Sequence, residues 1–344
     1  MGKMVNITGP KQLAYEEYPE RALKPGEVRI ETIYSGISAG TQLTLYRGRN
    51  PYIQKEFDRG LRIFTAAAGE KNPYPIPGAW AYEEVGRVAE VAPDVTEVRP
   101  GDTVYGTWGH RSTHIEGAKY AKDHVLEVGI DPIVGIYSQM GAIALNAILD
   151  ADIHVGETVA VFGLGVPGQI VSQLAQLNGA RVIAVDLDEG RLNLARELGA
   201  TWTFNPRDCD AALEIKRQTM GGADKCIEIS GSAQALAQAV RACCYQGRVI
   251  CSGFITSGAD ALVLGEEFHH NRIQIVCSQI ENVGLTLSNT WNRLRMEKTI
   301  MRLCKEGKLN LQKLVSHVMP FEEAQAAYQM LDASTDCMQV VLKF

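Results

Sequence analysis

The sequence has no excess of basic residues and no cysteine pairs spaced for a structural metal ion. Its 344 residues include 34 Lys and Arg against 40 Asp and Glu, which gives a formal net charge of −6. Because binding to phosphate backbones requires a basic surface, this balance speaks against nucleic acid as a partner. The cysteines begin only at Cys209 and include no C-x-x-C pair, so a zinc ribbon has no spacing to support it.

Long apolar runs are also missing. We find no stretch of about 18 consecutive apolar residues, and the first residues lack the apolar segment of a secretory signal. These absences predict a protein that neither crosses a membrane nor is secreted. We therefore expect a cytoplasmic protein whose cysteines are mostly buried small side chains.

The chain contains two kinds of pattern. Up to about residue 125, short alternating runs such as 28–33 and 85–91 are separated by Pro/Gly turns, which predicts a small barrel-like β domain. From about residue 132, a helix over 136–149 precedes strands and helices that alternate to about residue 280. After about residue 286 the chain is predicted to be helical, up to a last strand at 339–343. The strands of the alternating part are predicted at 158–162, 181–185, 225–229, 248–251 and 273–276. Apolar strands alternating with helices predict an α/β domain with a parallel sheet covered on both faces.

The strongest motif follows the first of these strands. Gly163, Gly165 and Gly168 form G-x-G-x-x-G between that strand and a helix predicted over 167–178. The first glycine permits a tight turn, the second lets a pyrophosphate approach the backbone, and the third allows helix and strand to pack closely. The N-terminus of the helix offers free N–H groups to the phosphates. The motif predicts a dinucleotide site.

Asp186 ends the second strand, about 20 residues after the glycines, where a carboxylate can bind the adenosine ribose hydroxyls. Such a carboxylate also repels the 2′-phosphate of NADP, and no basic residue follows it directly. NAD is therefore the predicted cofactor, although Arg191 is close enough to keep NADP open. The predicted cofactor-binding residues are Gly163, Leu164, Gly165, Val166, Pro167, Gly168, Asp186, Leu187, Arg191, Ser230, Gly253 and Gln279.

These motifs make the chain resemble the medium-chain dehydrogenase/reductase superfamily of alcohol and polyol dehydrogenases. The similar segments are 100–104, 163–168, 222–231, 247–249 and 318–324. The resemblance implies an α/β fold with a GroES-like β-barrel catalytic domain, residues 1–148 and 287–344, around a Rossmann doubly wound parallel sheet, residues 149–286. It also implies a homodimer or homotetramer that pairs at a sheet edge, here near 273–278.

The chain departs from this family at the positions of the catalytic zinc ligands. Many members have Cys, His and Glu or Cys there, whereas the matching residues here are Ser38, Tyr82 and Gln139. Neutral side chains of these types do not replace thiolate, imidazole and carboxylate ligands. We therefore predict a zinc-independent member, with no metal site. The segment 38–41 also resembles a branch without the zinc site that includes bacteriochlorophyllide dehydrogenase-like enzymes, and parts of 40–57 resemble glycoside 3-dehydrogenases.

Without zinc, a polar side chain must handle the proton of the alcohol. The candidate catalytic residues of the predicted barrel are Thr41, Tyr82, His110, His114 and Lys119. Thr41 lies where the family has a hydroxyl relay, and Glu83 matches its acidic residue beside the metal. His110 and His114 are predicted on strand or loop, where four residues span about 13 Å, too far to share one ion. Trp80, Trp108 and Trp291 are candidates for a hydrophobic substrate wall or a face that stacks on a sugar, although core packing is the more common use of any one of them.

The expected function is hydride transfer from a secondary alcohol of a polyol, sugar or glycoside to NAD. The substrate is a small molecule, and neither nucleic acid nor a membrane is expected as a partner. Two alternatives stay open, a zinc-independent enone or quinone reductase and a protein that binds NAD(H) without catalysis. Relatives of the reductase type usually prefer NADPH, so Asp186 speaks against that alternative.

Overall fold

The computed structural model describes residues 1–66, 72–284, 286–333 and 336–344. Its strands are β1 (Gly2–Gly9), β2 (Gln12–Tyr18), β3 (Glu27–Ile37), β4 (Lys55–Asp58), β5 (Ile63–Ala66), β6 (Glu84–Val91), β7 (Thr103–Gly106), β8 (Thr113–Gly117), β9 (Thr158–Phe162), β10 (Arg181–Val185), β11 (Trp202–Phe204), β12 (Ala223–Glu228), β13 (Cys243–Cys251), β14 (Gln274–Cys277), β15 (Val315–Pro320) and β16 (Gln339–Lys343). Its α-helices are α1 (Gln42–Tyr46), α2 (Ala118–Asp123), α3 (Tyr137–Ala151), α4 (Val166–Leu177), α5 (Glu189–Glu197), α6 (Ala211–Thr219), α7 (Ala233–Ala242), α8 (Arg293–Lys305) and α9 (Ala324–Ala333). Shorter helical turns cover Pro51–Ile53, Pro77–Trp80, Pro132–Ile136, Leu264–Phe268, Gln312–Leu314 and Phe321–Glu323.

The chain divides into two compact units. The first comprises Met1–Tyr137 with Val315–Phe344, and the second comprises Ser138–Leu314. The boundaries expected from the sequence lay at 148/149 and 286/287, so the second unit is longer at both ends. The reason is local packing, because Gly141 of α3 lies directly against Ile300 of α8: a Cβ on this glycine would be 2.6 Å from the Ile300 side chain.

The second unit is built on a parallel sheet. Its six strands have the order β11-β10-β9-β12-β13-β14. All of β9 is buried, and so is β10 apart from Arg181, which explains their continuous apolar sequences. The strand order reverses between β9 and β12, and ligands of such sheets bind at this point, beyond the carboxyl ends of the strands. The predicted α/β class with a doubly wound parallel sheet is confirmed.

The first unit is built on a mostly antiparallel sheet. Its order is β15-β16-β3-β6-β7, with β8 also paired to β3, and only the β15–β16 pair is parallel. Two separate hairpins, β1–β2 and β4–β5, accompany it. One core packs side chains from β1, α1, α9 and β16, among them Val5, Leu45, Tyr328 and Val340. The strands predicted at 28–33, 85–91 and 339–343 are present, whereas β15 lies where the sequence predicted helix.

Among the described residues, one helical stretch, Pro132–Ala151, is both long and apolar. Its mean hydropathy is 1.4, and by length and composition it could cross a membrane, which differs from the predicted absence of such a stretch. In this structure 83% of the apolar window is buried inside the protein. A core helix shows the same combination of hydropathy and burial.

Candidate active site

The turn after β9 has the conformation that its glycines predict. Gly163 has a φ of +97°, and a Cβ there would lie 2.5 Å from the Cβ of Ser230. A Cβ on Gly168 would lie 1.9 Å from the carbonyl oxygen of Gly163. Around Gly165 the nearest atom to such a Cβ is on Pro167, 3.9 Å away, and α4 begins at the next residue. The loop is tight where α4 meets β9 and open where a pyrophosphate would bind.

Asp186 is fixed against this loop at the end of β10. Its Oδ2 accepts the N–H of Leu164 at 2.6 Å, and its Oδ1 accepts the N–H of Asp188 at 2.9 Å. The Arg191 guanidinium lies 4.0 Å from Oδ2. Leu187 is 51% exposed beside it. The structure thus brings Asp186 and Arg191 to the glycine loop, as a ribose site requires.

A buried carboxylate that sequence reasoning missed organises the opposite side of the loop. Glu228 ends β12, and its Oε1 accepts the N–H of Ser230 at 2.7 Å, the hydroxyl of Ser230 at 2.6 Å and the N–H of Gly231 at 2.9 Å. A Cβ on Gly253 would lie 2.4 Å from the other oxygen of Glu228. Burial raises the pKa of Glu228. Glu228 therefore contacts both Ser230 and Gly253, two of the residues predicted to bind the cofactor.

Two further predicted cofactor residues are less informative. Val166 is buried at the start of α4. Gln279 is exposed after β14, and its Oε1 accepts the N–H of Glu281 at 2.6 Å. No hydrogen bond found within the described ranges joins Gln279 to the glycine loop.

In the first unit, three hydroxyl groups meet at one point. The Tyr82 OH lies 2.5 Å from Ser38 Oγ and 3.0 Å from Thr41 Oγ1. Ser38 is buried, whereas Thr41 and Tyr82 are partly exposed. We call Ser38, Thr41 and Tyr82 the hydroxyl cluster. Two of the three residues stand where the family resemblance places the first two zinc ligands.

Strand pairing explains why these residues meet. Ser38 directly follows β3, and Tyr82 comes shortly before β6. The two strands are antiparallel neighbours, so the end of one lies beside the start of the other. The Gly36 N–H donates to the Glu83 carbonyl at 2.7 Å and continues the pairing at this point.

A buried polar network supports the hydroxyl cluster. Gln42 accepts the N–H of Ser38 at 2.7 Å, and its Nε2 lies 3.2 Å from His110 Nε2. His110 also lies 3.0 Å from the Tyr328 OH and, through Nδ1, 2.7 Å from Ser35 Oγ. It has no exposed surface, and burial lowers its pKa to about 3, so the ring is neutral. His110 thus supports the hydroxyl cluster from inside the unit through Gln42, and its ring offers no exposed surface.

His114 and Lys119 lie elsewhere in the unit. His114 is on β8, stacked on Trp108 with ring centroids 5.6 Å apart, and its Nε2 lies 3.3 Å from a Glu116 oxygen. Lys119 is exposed on α2. In the parts of the chain that the structure describes, no hydrogen bond connects either residue to the hydroxyl cluster. Neither is brought to the site that Thr41 and Tyr82 form.

Two buried acids lie beside the hydroxyl cluster. Burial, and then the charge of Glu84, raise the pKa of Glu83 to about 8. Burial raises the pKa of Glu84 to about 7, although its oxygens accept the Ser35 hydroxyl at 2.8 Å and the Trp108 N–H at 2.7 Å. Burial and the charge of Glu83 raise the pKa of Tyr82 to about 12. The phenol is therefore a neutral hydrogen-bond donor near pH 7.

These donors do not fit a catalytic zinc ion. Zinc prefers thiolate, imidazole and carboxylate ligands. Ser38 and Tyr82 offer a neutral alcohol and a neutral phenol, and Gln139, which the resemblance matches to the third ligand, is a neutral amide. Within the described residues no group of three or more His, Cys, Asp and Glu side chains is arranged to hold a metal ion.

Comparison with known proteins places the chain in a family. The family model described as zinc-binding dehydrogenase matches residues 167–297, a region that excludes Ser38 and Tyr82. D-guloside 3-dehydrogenase of Escherichia coli is 32% identical over 338 residues, covering 95% of this chain and 95% of that protein. (R,R)-butanediol dehydrogenase of Bacillus subtilis is 25% identical and covers 89% of both.

A solved structure shows the same fold. The crystal structure of 2R,3R-butanediol dehydrogenase from Bacillus subtilis matches with a TM-score of 0.80 at 20% identity, covering 100% of both chains. It bears out the predicted combination of a GroES-like barrel and a Rossmann sheet. The 32% identity to D-guloside 3-dehydrogenase over 95% of this chain shows a family relationship and not only a shared fold. The chain therefore belongs to the medium-chain dehydrogenase/reductase superfamily of oxidoreductases.

Proposed function

We propose that this protein is an NAD-dependent dehydrogenase that oxidises a secondary alcohol of a sugar, polyol or glycoside without a catalytic metal. The observation that carries the proposal is the hydroxyl cluster. In it, Ser38 and Tyr82 stand at the positions that the family resemblance assigns to zinc ligands, and they hydrogen-bond to each other. The name of the relative that matches along the whole chain, D-guloside 3-dehydrogenase, supports a glycoside as substrate.

The residues around the glycine loop fit NAD. The open space at Gly165 and the free N–H groups at the start of α4 suit the pyrophosphate. The carboxylate of Asp186 suits the two ribose hydroxyls and disfavours a 2′-phosphate. When bound, NAD supplies the nicotinamide ring that accepts a hydride from the alcohol carbon.

The hydroxyl cluster handles the proton of the same reaction. As the C–H bond gives up its hydride, the O–H proton leaves and a ketone forms. With a pKa of about 12, Tyr82 stays protonated near neutral pH, so it donates a hydrogen bond to the oxygen of the ketone in the reverse direction. Oxidation needs the rare phenolate as proton acceptor. Its rate should therefore rise with pH through the alkaline range that the protein tolerates.

The test is NADH formation from NAD⁺ with a panel of methyl glycosides, free sugars and acyclic polyols. We expect turnover of at least one sugar-like secondary alcohol, and a higher kcat/KM with NAD than with NADP. Reduction of enones with NADPH, without oxidation of any alcohol in the panel, would contradict the proposal.

We also propose that two copies pair through the edge of the second unit's sheet. β14 is the terminal strand of this sheet, and an edge strand offers unpaired backbone groups to a symmetric copy. Light scattering should give twice the mass of the chain or a multiple of it, and a monomer mass would contradict the pairing.

A further inference from the structure

Three aromatic side chains form an exposed cluster in the first unit. Tyr52, Phe64 and Trp80 are 39%, 41% and 49% exposed. The Tyr52 ring centroid lies 5.4 Å from that of Phe64 and 5.7 Å from that of Trp80, both in edge-on geometry. We call these three residues the aromatic platform. Exposed apolar side chains that contact one another are more informative than single ones, because contiguous patches often mark ligand sites.

The hairpin that carries Phe64 depends on this cluster. β4 and β5 pair only with each other among the described strands, and most of their residues are exposed. A lone two-stranded hairpin is marginally stable in water. Phe57 pairs in register with Phe64, with ring centroids 5.0 Å apart, and Phe64 in turn contacts Tyr52. The aromatic contacts therefore hold the hairpin as well as shape the surface.

Trp80 is held outside by a strained turn. Gly78, Ala79 and Trp80 have φ angles of +60°, +53° and +56°. Left-handed backbone is costly at residues other than glycine and persists only where the surroundings impose it. Here the Asn6 side chain accepts the Gly78 N–H at 3.0 Å, and Gln42 Nε2 donates to the Ala79 carbonyl at 3.3 Å. Ala79 is buried, and the bulky ring that follows is kept at the surface.

The platform and the hydroxyl cluster are connected along the chain. Trp80 and Tyr82 are two residues apart, so their Cα atoms are separated by about 7 Å at most. A second connection runs through side chains: Thr44 Oγ1 donates to the Thr41 carbonyl at 2.6 Å, and Asn50 Nδ2 donates to Thr44 Oγ1 at 2.8 Å. The same Asn50 accepts the N–H of Tyr52 at 3.1 Å. One set of hydrogen bonds thus connects the aromatic platform to the hydroxyl cluster.

We infer that the aromatic platform is a substrate subsite that binds the apolar C–H face of a pyranose ring while a ring hydroxyl reaches the hydroxyl cluster. A pyranose combines flat patches of C–H groups with a polar edge, and ligand sites of this kind combine aromatic walls with a few placed polar groups. The inference rests on the proposed function and names its substrate class: a cyclic glycoside is preferred over an acyclic polyol. Trp80, Phe64 and Tyr52 would be specificity-determining residues.

The test measures binding and turnover separately. Calorimetric titration with a set of methyl hexopyranosides, without NAD⁺, follows binding directly. We expect Trp80→Ala and Phe64→Ala to weaken it by about tenfold, the scale of one lost aromatic contact. Tyr245→Ala, which removes a 60% exposed ring from the second unit, is the matched control and should leave binding unchanged. In turnover, KM should rise for pyranosides but change less than about twofold for xylitol.

The outcomes separate the platform from the proposed function. Binding of a pyranoside that Trp80→Ala weakens by about tenfold would support the platform even if no alcohol is oxidised. Oxidation of pyranosides with an unaltered preference over xylitol in both variants would overturn the platform and leave the dehydrogenase intact. Failure of every methyl hexopyranoside to bind the wild-type protein would also overturn it.

Discussion

Replacing Tyr82 with Phe should lower kcat by about 100-fold or more, the usual contribution of a positioned proton donor or acceptor. The substitution removes the one oxygen that contacts both Ser38 and Thr41 and keeps the ring that fills the space. KM should change little, because the lost interaction acts mainly in the transition state. Turnover in both directions and thermal unfolding of the variant check this expectation.

Tyr74→Phe is the matched control for the loss of a phenol hydroxyl. Tyr74 belongs to the same unit, and its OH donates to the Leu45 carbonyl at 2.9 Å, apart from the hydroxyl cluster. We expect its kcat to stay within about twofold of wild type. The pH profile adds a second readout: the rise of oxidation with pH should flatten in Tyr82→Phe and persist in Tyr74→Phe. A Tyr82→Phe variant with wild-type kcat and pH profile would remove Tyr82 from the reaction.

Replacing Asp186 with Ser should move the cofactor preference from NAD toward NADP. A hydrogen bond to a charged group contributes about 1.5–3 kcal/mol, so kcat/KM for NAD should fall about 10- to 100-fold. Removing the carboxylate also removes the repulsion of a 2′-phosphate, and the positive charge of Arg191, 4.0 Å from that carboxylate, attracts the phosphate. The measurement is the ratio of kcat/KM for the two cofactors.

Asp188→Ser controls for the loss of one negative charge at the same turn. Asp188 caps α5 by accepting the Arg191 N–H at 2.9 Å, and serine also caps helices well. This variant should keep the wild-type preference. An unchanged preference in Asp186→Ser, or an equal shift in both variants, would mean that Asp186 does not select the cofactor.

Most of the candidate cofactor site could be predicted from the local sequence. The strand predicted at 158–162 coincides with β9, because a continuous apolar run bounded by turn residues has few alternatives. The glycine pattern spans six residues of chain, and its tight contacts appear where the pattern requires them. Glu228 escaped prediction because its role depends on which backbone N–H groups the following loop turns toward it.

The arrangement of the candidate catalytic residues depends on contacts between residues far apart in the sequence. The neighbours of His110 include Tyr328, 218 positions away along the chain, so no local pattern could tell a buried histidine from one facing a substrate. The convergence of Ser38 with Tyr82 was visible only through the family resemblance. The hairpin of β4 and β5 was missed because its strands bury no face, which leaves them without the alternation that marks a strand.

The most direct test of the account is the metal content of the enzyme during catalysis. The protein is treated with a strong chelator, its zinc is quantified by mass spectrometry, and NADH formation is measured on the same sample with the best substrate of the panel. We predict far less than one zinc per chain and full activity, because Ser38, Tyr82 and Gln139 are neutral groups that zinc does not favour. One zinc per active chain, with activity lost on its removal and restored by its return, would contradict the account.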